Sequence, residues 1–170
     1  VSAPDRIEPA GPGDAAELAR LINLAYRVED SFKRVDRTTV DEVGAYLEHE
    51  AFLVAREAGG GIIGAVRVAH RPPDGHVGML AVRPDAQGRG IGRRLIEAAE
   101  ALCREAGCAT VSLEIASPRT ELPPLYERLG YRRVGASPWP AEAWHELKQP
   151  AHFIVMSKSL NERLPEDQHG

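Results

Sequence analysis

Residues 78–94 read Gly-Met-Leu-Ala-Val-Arg-Pro-Asp-Ala-Gln-Gly-Arg-Gly-Ile-Gly-Arg-Arg, and no other run limits the chain so strongly. An apolar strand, Met79 to Val82, enters a Pro-Asp turn. Glycines then alternate with other residues at Gly88, Gly90 and Gly92, and an amphipathic helix follows. The first turn of a helix has unpaired N–H donors, and its dipole adds roughly half a positive charge there. Glycine lets an anion approach that backbone closely and permits positive φ. The run therefore reads as a cradle for a pyrophosphate.

Spacing narrows the kind of cradle. A dinucleotide fingerprint needs a further glycine where Arg93 stands, and a P-loop needs a Gly-Lys pair followed by Ser or Thr, which this segment lacks. What remains is Gln-x-x-Gly-x-Gly directly after a strand, with Gln87, Gly90 and Gly92 in place. This pattern resembles the acetyl-CoA-binding motif of the GNAT family of N-acetyltransferases.

The chain's bulk properties fit one enzyme-sized domain. With 170 residues and 43% hydrophobic content it can bury its own core. A formal net charge of -4 argues against nucleic-acid partners, which select a basic surface. No run approaches the roughly 20 apolar residues of a membrane span, and no signal-peptide core opens the chain. Cys103 and Cys108 have no histidines at ligand spacing, so no metal is expected, and a reducing, cytoplasmic setting is.

Periodicity orders the elements. Arg6 to Pro9 reads as a strand, and Asp14 as the N-cap of a helix carrying Leu18, Leu21, Ile22 and Ala25 on one face. Thr39 and Glu42 have capping-box spacing and open a second helix to about Leu47. Phe52 to Arg56 and Ile62 to Ala69 are strands joined by Gly59-Gly60-Gly61, and His76 to Val82 is the next. The helix after the glycines is followed by a strand from Thr110 to Ile115. Glu121 to Leu129 is a short helix ended by Gly130. Tyr131 to Val134 and Phe153 to Met156 are the last strands, around a Pro/Trp-rich insert from Ser137 to Pro150. The reading is a single α/β domain over 1–160, with a polar tail at 161–170.

This element order is also that of the GNAT family. A second segment strengthens the resemblance: Leu125-Tyr126-Glu127-Arg128-Leu129-Gly130-Tyr131 is similar to the family's helix ending in Leu-Tyr-x-x-x-Gly-Phe or its tyrosine equivalent. The resemblance implies a mixed central sheet of six to seven strands, flanked by about four helices and splayed between the fourth and fifth strands. It implies an acetyl-CoA-dependent N-acetyltransferase. In it, Leu80, Ala81 and Val82 would offer backbone N–H groups to the thioester and pantetheine, and Gln87, Gly88, Arg89, Gly90, Ile91, Gly92 and Arg93 would hold the pyrophosphate. A small-molecule amine acceptor and a homodimer are the expected partners, with neither nucleic acid nor membrane.

Amine acylation poses three problems: the attacking amine must lose a proton, an oxyanion needs a donor, and the departing thiolate needs an acid. By the resemblance Tyr126 is the acid. For the base, His76 occupies the strand position where several relatives carry glutamate, and strict alternation would give it the same face as Gly78 and Leu80. A solvated turn histidine is the competing reading. Glu114 and Glu29 are the alternatives, with Glu114 facing away from Val111, Leu113 and Ile115. Arg119 departs from the family, standing where an asparagine often contacts pantetheine. Acceptor choice is expected from the loop Tyr26 to Arg37, where Arg27 is a candidate for binding a carboxylate, and from the insert with Trp139 and Trp144. The other functional readings are a non-catalytic acyl-CoA-binding regulatory module and a protein lysine or N-terminal acetyltransferase.

Overall fold

The structure is a computed structural model and describes residues 5–161. The polar tail expected at 161–170 therefore lies, beyond Asn161, outside the described residues.

The strands are β1 (Arg6–Pro9), β2 (Ala51–Arg56), β3 (Ile62–Arg71), β4 (Asp74–Val82), β5 (Thr110–Ala116), β6 (Arg132–Pro138) and β7 (His152–Ser159). The helices are α1 (Ala15–Ala25), α2 (Val40–His49), α3 (Ile91–Glu105) and α4 (Leu122–Arg128). All seven strands form one sheet in the order β1-β2-β3-β4-β5-β7-β6. Every pairing is antiparallel except β4 with β5.

Alternation along the strands feeds two cores. Leu53, Val66, Val77 and Val111 pack with Ile91, Leu95, Ile96 and Ala99 of α3 on one face. Phe52, Val54, Ala65, Met79 and Ala81 pack with Leu18, Leu21 and Ile22 of α1 and Val43 of α2 on the other. A third cluster joins Phe32, Ala116 and Trp139, which folds the Pro/Trp insert against the loop after α1.

Local signals act as expected in part. Thr39 Oγ1 accepts from the Glu42 amide at 3.1 Å, capping α2. Glu42 does not return the bond in a full capping box; its carboxylate accepts from Thr38 Oγ1 at 2.8 Å. Asp14 precedes α1 without capping it. Its carboxylate instead accepts from the Gly11 amide at 2.8 Å and Arg56 Nη2 at 2.9 Å, tying the turn to β2. The last two strands run longer than their apolar stretches suggest, because β7 pairs along all of β5 and with β6, whose side chains are almost all exposed. Pairing, not periodicity, extends them.

The sheet opens where the strands diverge. Parallel pairing covers only Asp74 with Thr110, Gly75 with Val111 and His76 with Ser112. Beyond His76, the edge of β4 that faces β5 has no strand partner among the described residues. Just past this point Met79 takes a positive φ of 51°, and the β3–β4 register slips between Arg67 opposite Gly78 and Ala65 opposite Ala81. This bulge adds a residue and reverses the alternation. Val77 packs on the α3 side, Met79 on the α1 side, and Leu80 and Val82 on the α3 side again.

Candidate active site

The splay leaves two hollows that meet at Leu80. The first is a groove of about 340 Å³ under the N-terminus of α3. Gly90 caps that helix in the left-handed region at φ 76°, and no side chain caps its first turn, so the opening N–H groups remain available. Of the residues expected to hold the cofactor, Leu80, Val82, Gln87, Gly88, Gly90, Ile91, Gly92 and Arg93 line the groove. Gln87 Nε2 reaches the Val82 carbonyl at 3.4 Å, which braces the loop against the strand. Arg93 also pairs with Glu97 at 3.0 Å along the helix surface. Arg89 is exposed and does not line the groove. Arg94 turns away, donating to the Asp5 carbonyl at 2.6 Å.

Ala81 requires a correction. The Arg83 amide donates to the Ile63 carbonyl of β3 at 2.8 Å. Since successive N–H groups alternate between the two edges of a strand, Ala81 also points its amide toward β3, whereas Leu80 and Val82 point theirs toward the open edge. The N–H groups that point to the open edge thus belong to alternate residues and not to three consecutive ones. Ala81 contributes a buried methyl to the α1-side core.

The second hollow is a cleft of about 320 Å³ between β4 and β5, roofed by the loop after α1 and by the insert. Tyr126 lies on its floor, only 7% exposed, edge-on to Tyr131 with ring centroids 5.8 Å apart. Burial, with the neighbouring Tyr26, raises the pKa of its phenol well above the ordinary value, so it is a retained proton. Glu114 is exposed into this cleft from β5. His76 is not among the lining residues. It shares a face with Gly78 but not with Leu80, because the bulge at Met79 intervenes. Burial and the nearby Arg67 lower its pKa, against an opposing pull from Glu50.

The loop Tyr26 to Arg37 and the insert do build the cleft's outer walls, through Tyr26, Glu29, Lys33, Arg37, Trp139 and Glu146. Trp139 stacks on Phe153 with centroids 4.4 Å apart, and Trp144 Nε1 holds its carbonyl at 2.9 Å while its own ring stays exposed. Arg27 is exposed and outside the cleft, so it is not placed to bind a carboxylate there. Arg119 neither reaches the groove nor lines the cleft. Its guanidinium clamps Glu29 at 3.0 Å and Glu121 at 2.6 Å, which fixes the loop after α1 against the start of α4.

Lys33, Arg37 and Glu146 lie in the loop and the insert expected to choose the acceptor but carry no motif of their own, and Glu42 reads from the sequence only as a helix-capping residue. One signal was available: Lys33 is one of only three lysines in the chain, directly after the buried Phe32. Glu42 is brought to the cleft from α2 by tertiary folding alone.

The sheet is open and splayed at its parallel pair, with a glycine-lined groove beside a tyrosine-floored cleft. The chain belongs to the acetyltransferase (GNAT) family, whose model matches residues 15–131. It is similar to mycothiol acetyltransferase of Propionibacterium freudenreichii, with 32% identity over 114 residues, 65% of this chain and 34% of that protein. It is likewise similar to mycothiol acetyltransferase of Nocardia farcinica, at 31% identity over 131 residues, 72% of this chain and 43% of that one. The chain thus spans less than half the length of these relatives. Among solved structures, the fold matches a putative acetyltransferase, yncA, of Salmonella typhimurium with its cofactor acetyl-CoA, at TM-score 0.72 and 20% identity, covering 98% of this chain and 99% of that one. It also matches an N-acetyltransferase of Staphylococcus aureus, at TM-score 0.73 and 17% identity over 93% of this chain and 99% of that one.

Proposed function

We propose that this protein is an acetyl-CoA-dependent N-acetyltransferase that acylates a primary amine of a small molecule by direct attack within a ternary complex. The observation that supports the reading most is that the glycine-lined groove under the N-terminus of α3 and the cleft floored by Tyr126 share Leu80 in their linings. The names of the relatives support acetyl transfer, and the cleft's size of about 320 Å³ favours a small acceptor over a protein segment.

The groove suits the donor. Acetyl-CoA combines a pyrophosphate with an extended pantetheine, and the open amides of α3 and the alternate N–H groups of β4 are complementary to those two parts. When bound, it supplies the thioester carbon that the amine attacks. The Leu80 N–H then stabilises negative charge on the carbonyl oxygen. Tyr126 donates its proton to the leaving sulfur. Glu114, exposed in the cleft and free of ion pairs among the described residues, takes the proton from the incoming ammonium, directly or through water.

Following free CoA thiol with a panel of primary amines tests this reading. The expected result is acetyl-CoA-dependent thiol release with a subset of them. Tight acetyl-CoA binding without turnover on any amine would replace it with a non-catalytic acyl-CoA-binding module.

A further inference from the structure

Six charged side chains line the cleft: Glu29, Lys33, Arg37, Glu42, Glu114 and Glu146. Their commitments differ. Glu29 Oε2 already accepts from Arg119 at 3.0 Å, and Glu42 Oε1 from Thr38 at 2.8 Å. Lys33 is 8% exposed, and its closest carboxylate oxygen, Glu29 Oε1, stands 3.9 Å away, beyond hydrogen-bond reach. Its Nζ otherwise faces the Trp139 ring, 5.7 Å from the centroid. Among the described residues this ammonium makes no hydrogen bond. Arg37 is half-buried, with its guanidinium 5.4 Å over the Tyr26 ring, and it has no ion pair among the described residues.

A buried ammonium with three unused donors is unfavourable unless whatever enters the cleft accepts from it. Water can do this partly. An anion does it better, because it accepts and compensates charge together. Lys33 and the half-buried Arg37 put two cations on one wall, while Glu114 on β5, unpaired among the described residues, suits an ammonium elsewhere in the same cleft. Burial, with Arg37, lowers the Lys33 pKa against the opposing pull of Glu29, Glu146 and Glu42; these three carboxylates also oppose a second negative charge, which favours a carboxylate over a phosphate dianion.

We propose that the acceptor is an amino compound that also carries a carboxylate, and that Lys33 and Arg37 bind this carboxylate while the amine lies toward Glu114 and Tyr126. This inference rests on the acetyltransferase reading above. It makes the acceptor an amino acid-like zwitterion and makes Lys33 a specificity residue, not a catalytic one.

The test uses matched pairs of α- and ω-amino acids and their methyl esters, with acetyl-CoA as donor. For wild type, KM should be about tenfold or more lower for the acid than for its ester, the worth of one charge-assisted contact. Lys33→Met and Arg37→Met should each bring that ratio close to one, and Lys33→Arg should keep part of it. Acetyl-CoA binding and thermal melting of each variant check the fold; if Lys33→Met does not fold, Arg37→Met carries the test. Esters turned over as well as acids by wild type would overturn the proposal and leave the transferase reading standing. So would an acid-to-ester ratio unchanged in a folded variant. If no amine is acetylated, melting of the CoA-loaded protein decides. Acids that raise the wild-type Tm but not that of Lys33→Met would keep the carboxylate site and refute the transfer; acids that raise neither would refute both.

Discussion

The guanidinium of Arg67 lies directly over Gly78: a Cβ there would stand 2.7 Å from Arg67 Nη2. Arg67 has little room to yield, because Nη1 is held by Glu50 at 2.6 Å and the guanidinium stacks over Tyr46 at 4.6 Å. The glycine therefore lets a charged side chain from β3 cross the strand immediately before the Met79 bulge, which re-aims Leu80 and Val82. Gly78→Ala should destabilise the protein by about 1–3 kcal/mol through overpacking. It should also raise the acetyl-CoA KM by disturbing the bulge. Urea denaturation and steady-state kinetics read the two effects separately.

Gly90 presents a different constraint. Nothing lies within 4 Å of its Cβ position, so space is not limiting, but its φ of 76° is unfavourable for any residue with a side chain. Gly90→Ala should cost about 1–2 kcal/mol of local strain and weaken acetyl-CoA binding by displacing the first turn of α3. Calorimetric titration with acetyl-CoA is the measurement; unchanged affinity would detach this helix end from cofactor binding.

Tyr126→Phe removes a hydroxyl and little packing. If the phenol protonates the departing thiolate, kcat should fall about 100-fold while the acetyl-CoA Kd changes little. Because burial raises the phenol's pKa, its acid form persists above the ordinary tyrosine value. The kcat–pH profile of wild type should accordingly show no alkaline limb from a tyrosine near ~10, and the same profile in Tyr126→Phe should be lower but similarly shaped.

Cys103 should be inert in the native state. Burial, reinforced by Cys108, pushes its thiol up to about 11. Iodoacetamide at mildly alkaline pH should alkylate it in denatured but not native protein. A raised folded-state pKa means that the folded protein binds the proton more tightly. The associated stability is complete below the unfolded thiol value near ~8.5. It is lost as pH rises through about 11. A Tm that did not decline across that window would contradict the assignment.

The glycine run, the tyrosine motif and the order of elements were legible in the sequence because each depends on local chemistry: positive φ, open helix N–H groups, and periods of two or 3.6. These determined the family resemblance and, through it, the groove and Tyr126. Tertiary structure decided what alternation could not. One extra residue at Met79 separates His76 from the face of Leu80, and the pairing of β4 with β3 turns Ala81 away from the open edge. It also brought Lys33, Arg37, Glu42 and Glu146 to one cleft from a loop, a helix and an insert distant in sequence. Such convergence has no period to detect. It arises from packing between segments, which is why the glycine-lined groove and the two segments that wall the cleft could be read from the chain, and the charged side chains that meet inside it could not.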